Sequence, residues 1–211
     1  MTVEMFSPRW YYRGTITEEN QEKIRNSFSK FIEEDKNFAN KEEWNCNVLT
    51  SYELPTNNGA DWDTFLECVR PCVTEFMEEM KPKMNLTIKP QEGWINKYRK
   101  GHYQETHCHS VPFCNLAMVY FYQMEDKECP YFKFYNNWYP QYKASGLDDA
   151  FELPTAPTIT PKAKQGDVII FPAHYPHMVS PNREDCERIT ISANMYVMPD
   201  EEVSTNPPMT L

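Results

Sequence analysis

Five short runs of β-branched and aromatic residues, separated by turn residues, fill the second half of the chain and constrain its fold most strongly. The runs are TIKPQEGWINKYRK, NLAMVYFYQM, YFKFYNNW, GDVIIF and ERITISANMYV. Short runs at close intervals are typical of an antiparallel sandwich or barrel, whereas βαβ folds alternate strands with long helices. We therefore predict a mainly β fold beginning near residue 86.

The first half of the chain instead carries helical patterns. Residues 18–35 place apolar side chains on one helical stripe, and Thr17 precedes them as a candidate N-cap. Residues 63–80 show a similar stripe, in which Pro71 predicts a kink or a later helix start. We predict a single domain over residues 1–211. Its parts are an N-terminal helical support (1–85), a β core (86–198) and a polar, Pro-rich flexible tail (199–211).

Charge and cysteine content restrict the partners and the compartment. The chain has 21 Lys and Arg against 31 Asp and Glu, a net charge of −10, and no block of basic residues. Nucleic acid and anionic membranes attract basic patches, so we expect neither as a partner. Seven cysteines without paired CxxC spacing suggest a reducing compartment. Since no long apolar run is present, we expect a cytoplasmic protein that does not span a membrane.

The stretch GHYQETHCHS places His107 and His109 one residue apart. On a strand, residues i and i+2 share a face, so both imidazoles can point into the same barrel. A third ligand is available in His177, which follows the predicted strand GDVIIFP. Three neutral imidazoles leave open positions on a metal, which suits catalytic iron or zinc. The alternative is a pair of hydrogen-bonded histidines on a strand without any metal.

The residues around these histidines resemble a known enzyme family. YRKGHYQETHCHS is similar to the Tyr-x-x-Gly-x5-His-x-Asp signature of the prolyl-hydroxylase-like Fe(II)/2-oxoglutarate-dependent dioxygenases, with Tyr98, Gly101 and His107 at matching positions. Downstream, GDVIIFP and His177 resemble the strand that leads to the family's distal histidine. The resemblance, closest to stand-alone oxygenases of bacteria and phages, covers roughly residues 94–197 and implies a double-stranded β-helix, a jelly-roll or cupin-like fold.

The chain departs from the family at one metal ligand. The usual set is two histidines and one carboxylate, but position 109 is His. We predict a metal site made of His107, His109 and His177, although Glu105 is a possible substitute ligand. Losing the carboxylate leaves one more positive charge on the metal, which can weaken Fe(II) retention or change the preferred metal.

The resemblance also implies where the cosubstrate 2-oxoglutarate binds. Arg188 resembles the arginine that pairs with the distal carboxylate, and Thr190, two residues later, faces the same way to donate a second bond. Tyr98 and Tyr120 fall where tyrosines of the family contact that carboxylate. The alternatives are a surface Arg188 paired with nearby acidic residues, and tyrosines that only pack in the core.

The reaction implied is hydroxylation of an unidentified substrate, peptidyl or a small molecule, with Fe(II), 2-oxoglutarate and O₂. His174 and Asn115 are expected behind the ligands or facing the substrate. Two other functions fit the sequence. One is a cupin-like three-histidine metalloenzyme that does not use 2-oxoglutarate, because Gly101-x5-His107-x-His109 also resembles a cupin motif. The other is a catalytically silent β-sandwich that serves as a binding module. Nothing in the sequence predicts the oligomeric state.

Overall fold

A computed structural model describes residues 9–125, 131–150 and 156–200. Its core consists of two antiparallel sheets. Six strands lie in the order β1-β8-β5-β10-β3-β2, and four in the order β4-β9-β6-β7. The strands are Tyr12–Thr15 (β1), Leu49–Thr50 (β2), Leu86–Tyr98 (β3), Gln104–His107 (β4), Leu116–Gln123 (β5), Phe132–Tyr135 (β6), Thr158–Ile159 (β7), Asp167–Pro172 (β8), His177–Val179 (β9) and Arg188–Pro199 (β10).

Two long helices cover the outer face of the larger sheet. Helix α1 spans Glu18–Glu33, and the Thr17 side chain accepts a hydrogen bond from the Asn20 backbone N–H, as predicted for an N-cap. Helix α2 spans Trp62–Met80 and continues through Pro71, so the predicted later start is wrong. Two short helices, Tyr139–Ala144 (α3) and Leu147–Ala150 (α4), follow β6, and 3₁₀ turns occupy Asp35–Asn37 and Pro55–Gly59.

The apolar residues of the central strands divide between two cores. On β10, Ile189, Ile191 and Ala193 face the helices and pack in the outer core with side chains of α1 and α2. The inner core lies between the two sheets and combines β5 and β8 residues with Phe132 and Phe134 of β6. Because strand residues alternate in direction, each buried central strand contributes to both cores.

The inner face of β10 is polar although it is buried. Arg188, Thr190, Ser192 and Asn194 are each 5% exposed or less, and they alternate with the apolar residues of the outer core. Burying polar side chains is costly unless partners are provided. A row of four such residues between two sheets therefore indicates that this face has a role other than packing.

The N-terminal half also supplies strands that the sequence did not predict. Strand β1 pairs antiparallel with β8, and β2 pairs with β3, so both edges of the larger sheet come from the region predicted as helical support. Runs of four and two residues are too short to show a period-2 pattern. Of the predicted flexible tail, residues 201–211 lie outside the described residues. Within the described ranges, no helix combines the length and hydrophobicity needed to cross a bilayer.

Helix α2 packs closely against the larger sheet at Gly93 of β3. A Cβ atom at Gly93 would lie 2.7 Å from a ring carbon of Trp62, the first residue of α2. The indole Nε1 donates to the Asn57 carbonyl oxygen at 2.9 Å, and the Asn57 side chain donates to the Gly93 carbonyl oxygen at 2.7 Å. The close approach of helix and strand thus depends on the missing side chain at Gly93.

Candidate metal centre

The three histidines of the predicted metal site come together between the sheets. His107 and His177 are direct partners in the antiparallel pairing of β4 with β9, and His109 follows two residues after His107. One nitrogen of each ring lies within 4.8 Å of the others. The ring centroids are 4.3 Å apart for His107 and His177, 4.9 Å for His109 and His177, and 5.4 Å for His107 and His109. Three imidazole nitrogens grouped in this way are a common ligand set for one divalent ion.

Backbone carbonyls fix the tautomers of two of these rings. His107 Nδ1 lies 2.8 Å from the Glu105 carbonyl oxygen, and His177 Nδ1 lies 2.8 Å from the Tyr175 carbonyl oxygen. Because a carbonyl oxygen can only accept, Nδ1 carries the proton and Nε2 keeps its lone pair. Metal-binding imidazoles are commonly held by such a bond from the other ring nitrogen. The two rings are therefore arranged as ligands.

Burial keeps all three imidazoles neutral. It lowers the pKa of His107, and burial together with the repulsion that a second protonated ring beside His107 would meet lowers the pKa of His109 to about 4. The pKa of His177 lies well below its ordinary value, chiefly because of burial and then because of the two neighbouring histidines. Metal ligation requires neutral imidazole. The cluster is thus in the protonation state that accepts a cation at neutral pH.

Aromatic rings enclose the cluster. The His177 ring lies 4.9 Å from the Phe171 ring and 5.3 Å from the Phe132 ring, and His109 lies 5.5 Å from Trp94. These rings restrict the orientation of the imidazoles and exclude water from one side of the cluster. Neither Trp94 nor Phe132 was singled out from the sequence, since each reads there as an ordinary core residue.

The same pocket that contains the histidines contains Arg188 and Thr190. Arg188 is 1% exposed, and its guanidinium carbon lies 5.0 Å from the Phe121 ring centroid and 5.5 Å from that of Tyr98. Among the described lining residues it is the one formally charged side chain, and none is a carboxylate. A divalent metal here would add to the positive charge of Arg188. The donor set therefore fits a metal together with a dianionic ligand better than a metal alone.

Tyr98 also lines this pocket, directly opposite Arg188 in the pairing of β3 with β10. Its hydroxyl donates to Gln104 Oε1 at 2.7 Å, and complete burial raises its pKa far above the usual range. It is thus a neutral donor beside the guanidinium. Gln104, which positions this hydroxyl, was missed in the sequence, although its place opposite Val179 follows from the pairing of β4 with β9.

Three other predicted site residues lie outside the pocket, and for Tyr120 the predicted contact with the cosubstrate is thereby corrected. Tyr120 faces the helices and contacts Phe65 of α2 at 6.0 Å between ring centroids. His174 is exposed, and Asn115 accepts from the Val197 backbone N–H at 2.8 Å, which ties the start of β5 to β10. None of the three lines the pocket, and Glu105 is outside the ligand cluster. Tyr120 points away because its neighbours Val119 and Phe121 occupy the inner face.

Asn194 is a buried residue near the cluster that sequence analysis also missed. It lies two residues beyond Ser192 on β10, and its side chain partly opposes the lowering of the His109 pKa, as an acceptor near the ring does. The alternation Arg188, Thr190, Ser192, Asn194 is visible in the sequence. This alternation, continued along the whole strand, identifies Asn194 as a further residue on the inner face.

A comparison of the sequence with protein families matches residues 92–194 to the model described as "Putative 2OG-Fe(II) oxygenase". The matched segment contains every described residue that lines the pocket. No curated protein matches the chain in sequence.

Solved structures share the fold at low sequence identity. A prolyl-4-hydroxylase of Pseudomonas putida aligns with a TM-score of 0.60 and 11% identity, over 89% of this chain and 92% of that one. A collagen prolyl hydroxylase of Paramecium bursaria Chlorella virus-1, in complex with 2OG, aligns at 0.55 and 12%, over 89% and 96%. HygX of Streptomyces hygroscopicus, with nickel, 2-oxoglutarate and hygromycin B bound, aligns at 0.56 and 10%, over 89% and 83%. The predicted double-stranded β-helix is thereby confirmed.

Proposed function

Because residues 92–194 match the model described as "Putative 2OG-Fe(II) oxygenase", we propose that the chain hydroxylates an organic substrate at a three-histidine iron centre. The iron is held by His107, His109 and His177, and 2-oxoglutarate binds in the adjoining pocket. One observation carries this proposal: the three imidazoles and the buried Arg188 line a single pocket.

Fe(II) supplies the activation of O₂ in this reaction, and 2-oxoglutarate supplies two of the electrons. One oxygen atom enters succinate as 2-oxoglutarate loses CO₂, and the other enters a C–H bond of the substrate as a hydroxyl group. The chain's own residues bind and orient the reactants and keep water away. His107 and His177 are pre-set as ligands by their Nδ1 bonds to the Glu105 and Tyr175 carbonyl oxygens.

Arg188 is the residue that distinguishes 2-oxoglutarate from other anions. Its planar guanidinium can form two parallel, charge-assisted bonds with the distal carboxylate. The carboxylate would otherwise be buried without a counter-ion, at prohibitive cost. Tyr98 and Thr190 line the same pocket and can donate further hydrogen bonds to that carboxylate. A cupin-like enzyme that binds its substrate directly on the metal has no need of a buried arginine at this place.

The three-histidine ligand set has an electrostatic consequence. Since all three ligands are neutral, the negative charge near the iron must come from 2-oxoglutarate itself. We expect metal and cosubstrate to bind cooperatively, each raising the affinity of the other by the same factor. In enzymes with a carboxylate ligand, part of that charge is already present before the cosubstrate arrives.

The proposed substrate is a peptide or a small molecule. Among the structures of similar fold, one is a collagen prolyl hydroxylase and another holds the small molecule hygromycin B. Identities of 10–12% carry no substrate preference to this chain. O₂ is the second substrate throughout the family.

The test is an anaerobic titration of the purified protein with Fe(II) and then with 2-oxoglutarate. We expect one iron per chain and a weak visible charge-transfer band that appears only when both are present. Arg188→Ala should still bind iron but lose affinity for 2-oxoglutarate by about 100-fold, because two hydrogen bonds to a charge, about 3 kcal/mol together, are removed. Arg99→Ala is the matched control, since Arg99 is half exposed and pairs with Glu187.

Two outcomes contradict the proposal in different ways. Iron binding without any band on addition of 2-oxoglutarate would favour the cupin-like metalloenzyme. A protein that holds no stoichiometric metal would favour the silent binding module.

A further inference from the structure

The third imidazole of the centre lacks the support that the other two possess. His107 and His177 each bond through Nδ1 to the carbonyl oxygen of the residue two positions earlier. His109 has no such partner: its Nδ1 is buried and makes no hydrogen bond of standard geometry to any described residue. Its backbone N–H is bonded to the Ala173 carbonyl oxygen at 2.8 Å, which holds the chain but not the ring.

A matching acceptor lies on β10. Asn194 is 5% exposed, and its Oδ1 is likewise buried without a hydrogen bond of standard geometry within the described chain. Backbone hydrogen bonds bring the two residues close: the N–H groups of His109, Ala173 and Asn115 donate in turn to the carbonyl oxygens of Ala173, Asn115 and Met195, the residue after Asn194. The Asn194 side chain also opposes the lowering of the His109 pKa, as a nearby acceptor does. A buried donor and a nearby buried acceptor that make no hydrogen bond to the described residues each gain by pairing, because leaving either unpaired costs about 1–3 kcal/mol.

Strand β3 carries a bulge opposite Asn194: Asn194 pairs with Glu92 and Met195 with Pro90, so Gln91 is the extra residue. The pairing of β10 with β3 shifts register between Asn194 and Met195, whereas from Arg188 to Asn194 it is regular. Such bulges re-aim a side chain and often lie beside active sites. Here the bulge lies on β3, opposite the step from Asn194 to Met195 and beside the end of the row of buried polar residues on β10.

We propose that Asn194 positions His109 by accepting a hydrogen bond from its Nδ1, which leaves Nε2 free to bind the metal. The inference rests on the proposed function, since it concerns the same centre. If the amide were turned to present its N–H₂ group, Nδ1 would have to be the acceptor. Nε2 would then carry the proton and could not coordinate. The acceptor on β10 thus does for His109 what backbone carbonyls do for His107 and His177.

This arrangement is specific to histidine at position 109. A ligand carboxylate has no proton to donate, so the amide of residue 194 would have to turn and present its N–H₂ group to it. The amide orientation proposed here therefore belongs to the neutral third ligand of this chain.

The first test determines the tautomer of His109 in the metal-free protein. In metal-free protein with ¹⁵N-labelled histidine, NMR distinguishes Nδ1–H from Nε2–H rings. We expect His109 to be Nδ1-protonated in the wild type and in Asn194→Asp, which keeps an acceptor. In Asn194→Leu, which is similar in size and has none, we expect a mixture of both tautomers. A wild-type His109 that is protonated on Nε2 would overturn the proposal.

The second test measures Co(II) affinity by competition with a chelator, together with the visible spectrum of bound Co(II). Asn194→Leu should bind Co(II) about 10–100-fold more weakly with an altered spectrum, as losses of supporting bonds typically do. Asn194→Asp should retain both. Asn37→Leu is the matched control, because Asn37 is an equally buried asparagine in the 3₁₀ turn after α1 and does not line the pocket.

The two tests separate the inference from the function on which it rests. The role of Asn194 would be overturned if Asn194→Leu left the Co(II) affinity and the Co(II) spectrum unchanged. It would also be overturned if Asn194→Asp lost affinity as strongly as Asn194→Leu. If the wild type binds no Co(II) while His109 is Nδ1-protonated as expected, the hydrogen bond stands and the metal centre fails. Should Asn194→Leu not fold, the comparison of wild type with Asn194→Asp and with Asn194→Ser decides, since serine is too short to reach the ring.

Discussion

His107 and His177 face each other as direct partners in the pairing of β4 with β9, and their ring centroids are 4.3 Å apart. The candidate metal centre is therefore built on the register of two very short strands. A shift by one residue would turn one of the imidazoles out of the pocket, because strand side chains alternate. Phe132 and Phe171, which contact His177, hold β9 against this slip from the side of the inner core.

Removal of the distal histidine should abolish the centre. His177→Ala deletes one of three ligands, and we expect Fe(II) affinity to fall by at least about 100-fold, beyond the effect of losing a supporting bond. His174→Ala is the control, since His174 is exposed and outside the cluster. Equilibrium dialysis followed by elemental analysis measures the iron content of both variants. Equal iron content in the two variants would show that His177 is not a ligand.

Restoring a carboxylate should strengthen iron binding. His109→Asp places a negative charge on the metal, and an extra attraction of about 1.4 kcal/mol already corresponds to tenfold tighter binding. His109→Asn has similar shape without the charge and should not tighten binding. Affinity for Fe(II) is compared by chelator competition under anaerobic conditions. If His109→Asp bound iron more weakly than the wild type, the neutral set would be optimal for this pocket.

The two predicted tyrosines should behave differently. Tyr98→Phe removes a hydroxyl inside the pocket and leaves Gln104 Oε1 without its donor, so we expect 2-oxoglutarate affinity to fall about 3–10-fold. Tyr120→Phe alters the outer core beside Phe65 and should leave this affinity within about twofold. Titration of the iron-loaded proteins, followed by the charge-transfer band, gives both values. An effect of Tyr120→Phe as large as that of Tyr98→Phe would refute the corrected assignment.

The contact of α2 with β3 predicts a stability effect. In Gly93→Ala the new methyl group meets the Trp62 ring at 2.7 Å, and such overpacking costs typically about 1–3 kcal/mol. Gly59→Ala is the control, because a Cβ there meets nothing within 4 Å. Urea unfolding of both variants measures the free energy of unfolding. A Gly93→Ala protein as stable as Gly59→Ala would mean that α2 can shift freely on the sheet.

Acid should destabilise the metal-free protein through the histidine cluster. The pKa of His109 is lowered from 6.5 to about 4, so between these values the unfolded chain binds a proton that the folded chain does not. The contribution of His109, on the order of 3 kcal/mol, is fully present above about pH 6.5 and is lost as the pH falls towards 4. In His109→Gln the fall in unfolding free energy over this range should be smaller. If the unfolding free energies of wild type and variant fell in parallel with pH, protonation of His109 would not be the cause of the acid destabilisation.

The sequence predicted those features that are local or have a regular period. The Thr17 cap, the helical stripes and the strand runs are local patterns, and the spacing of His107 and His109 follows from strand alternation. Tyr120 was assigned to the wrong face because all but the last residue of β5 are buried. A strand buried on both faces has no polar alternation that would show which side is inner.

By itself the sequence determined the fold class, the resemblance to 2OG-Fe(II) oxygenases and the residues that can form a metal site, since these depend on residue type and on spacing along the chain. Only the tertiary structure decided that His177 lies opposite His107, that Arg188 lines the same pocket and that Asn194 is buried on the inner face of β10. These relationships join residues on different strands, and strand register is fixed by the packing of both cores together. No local pattern along the chain contains that information.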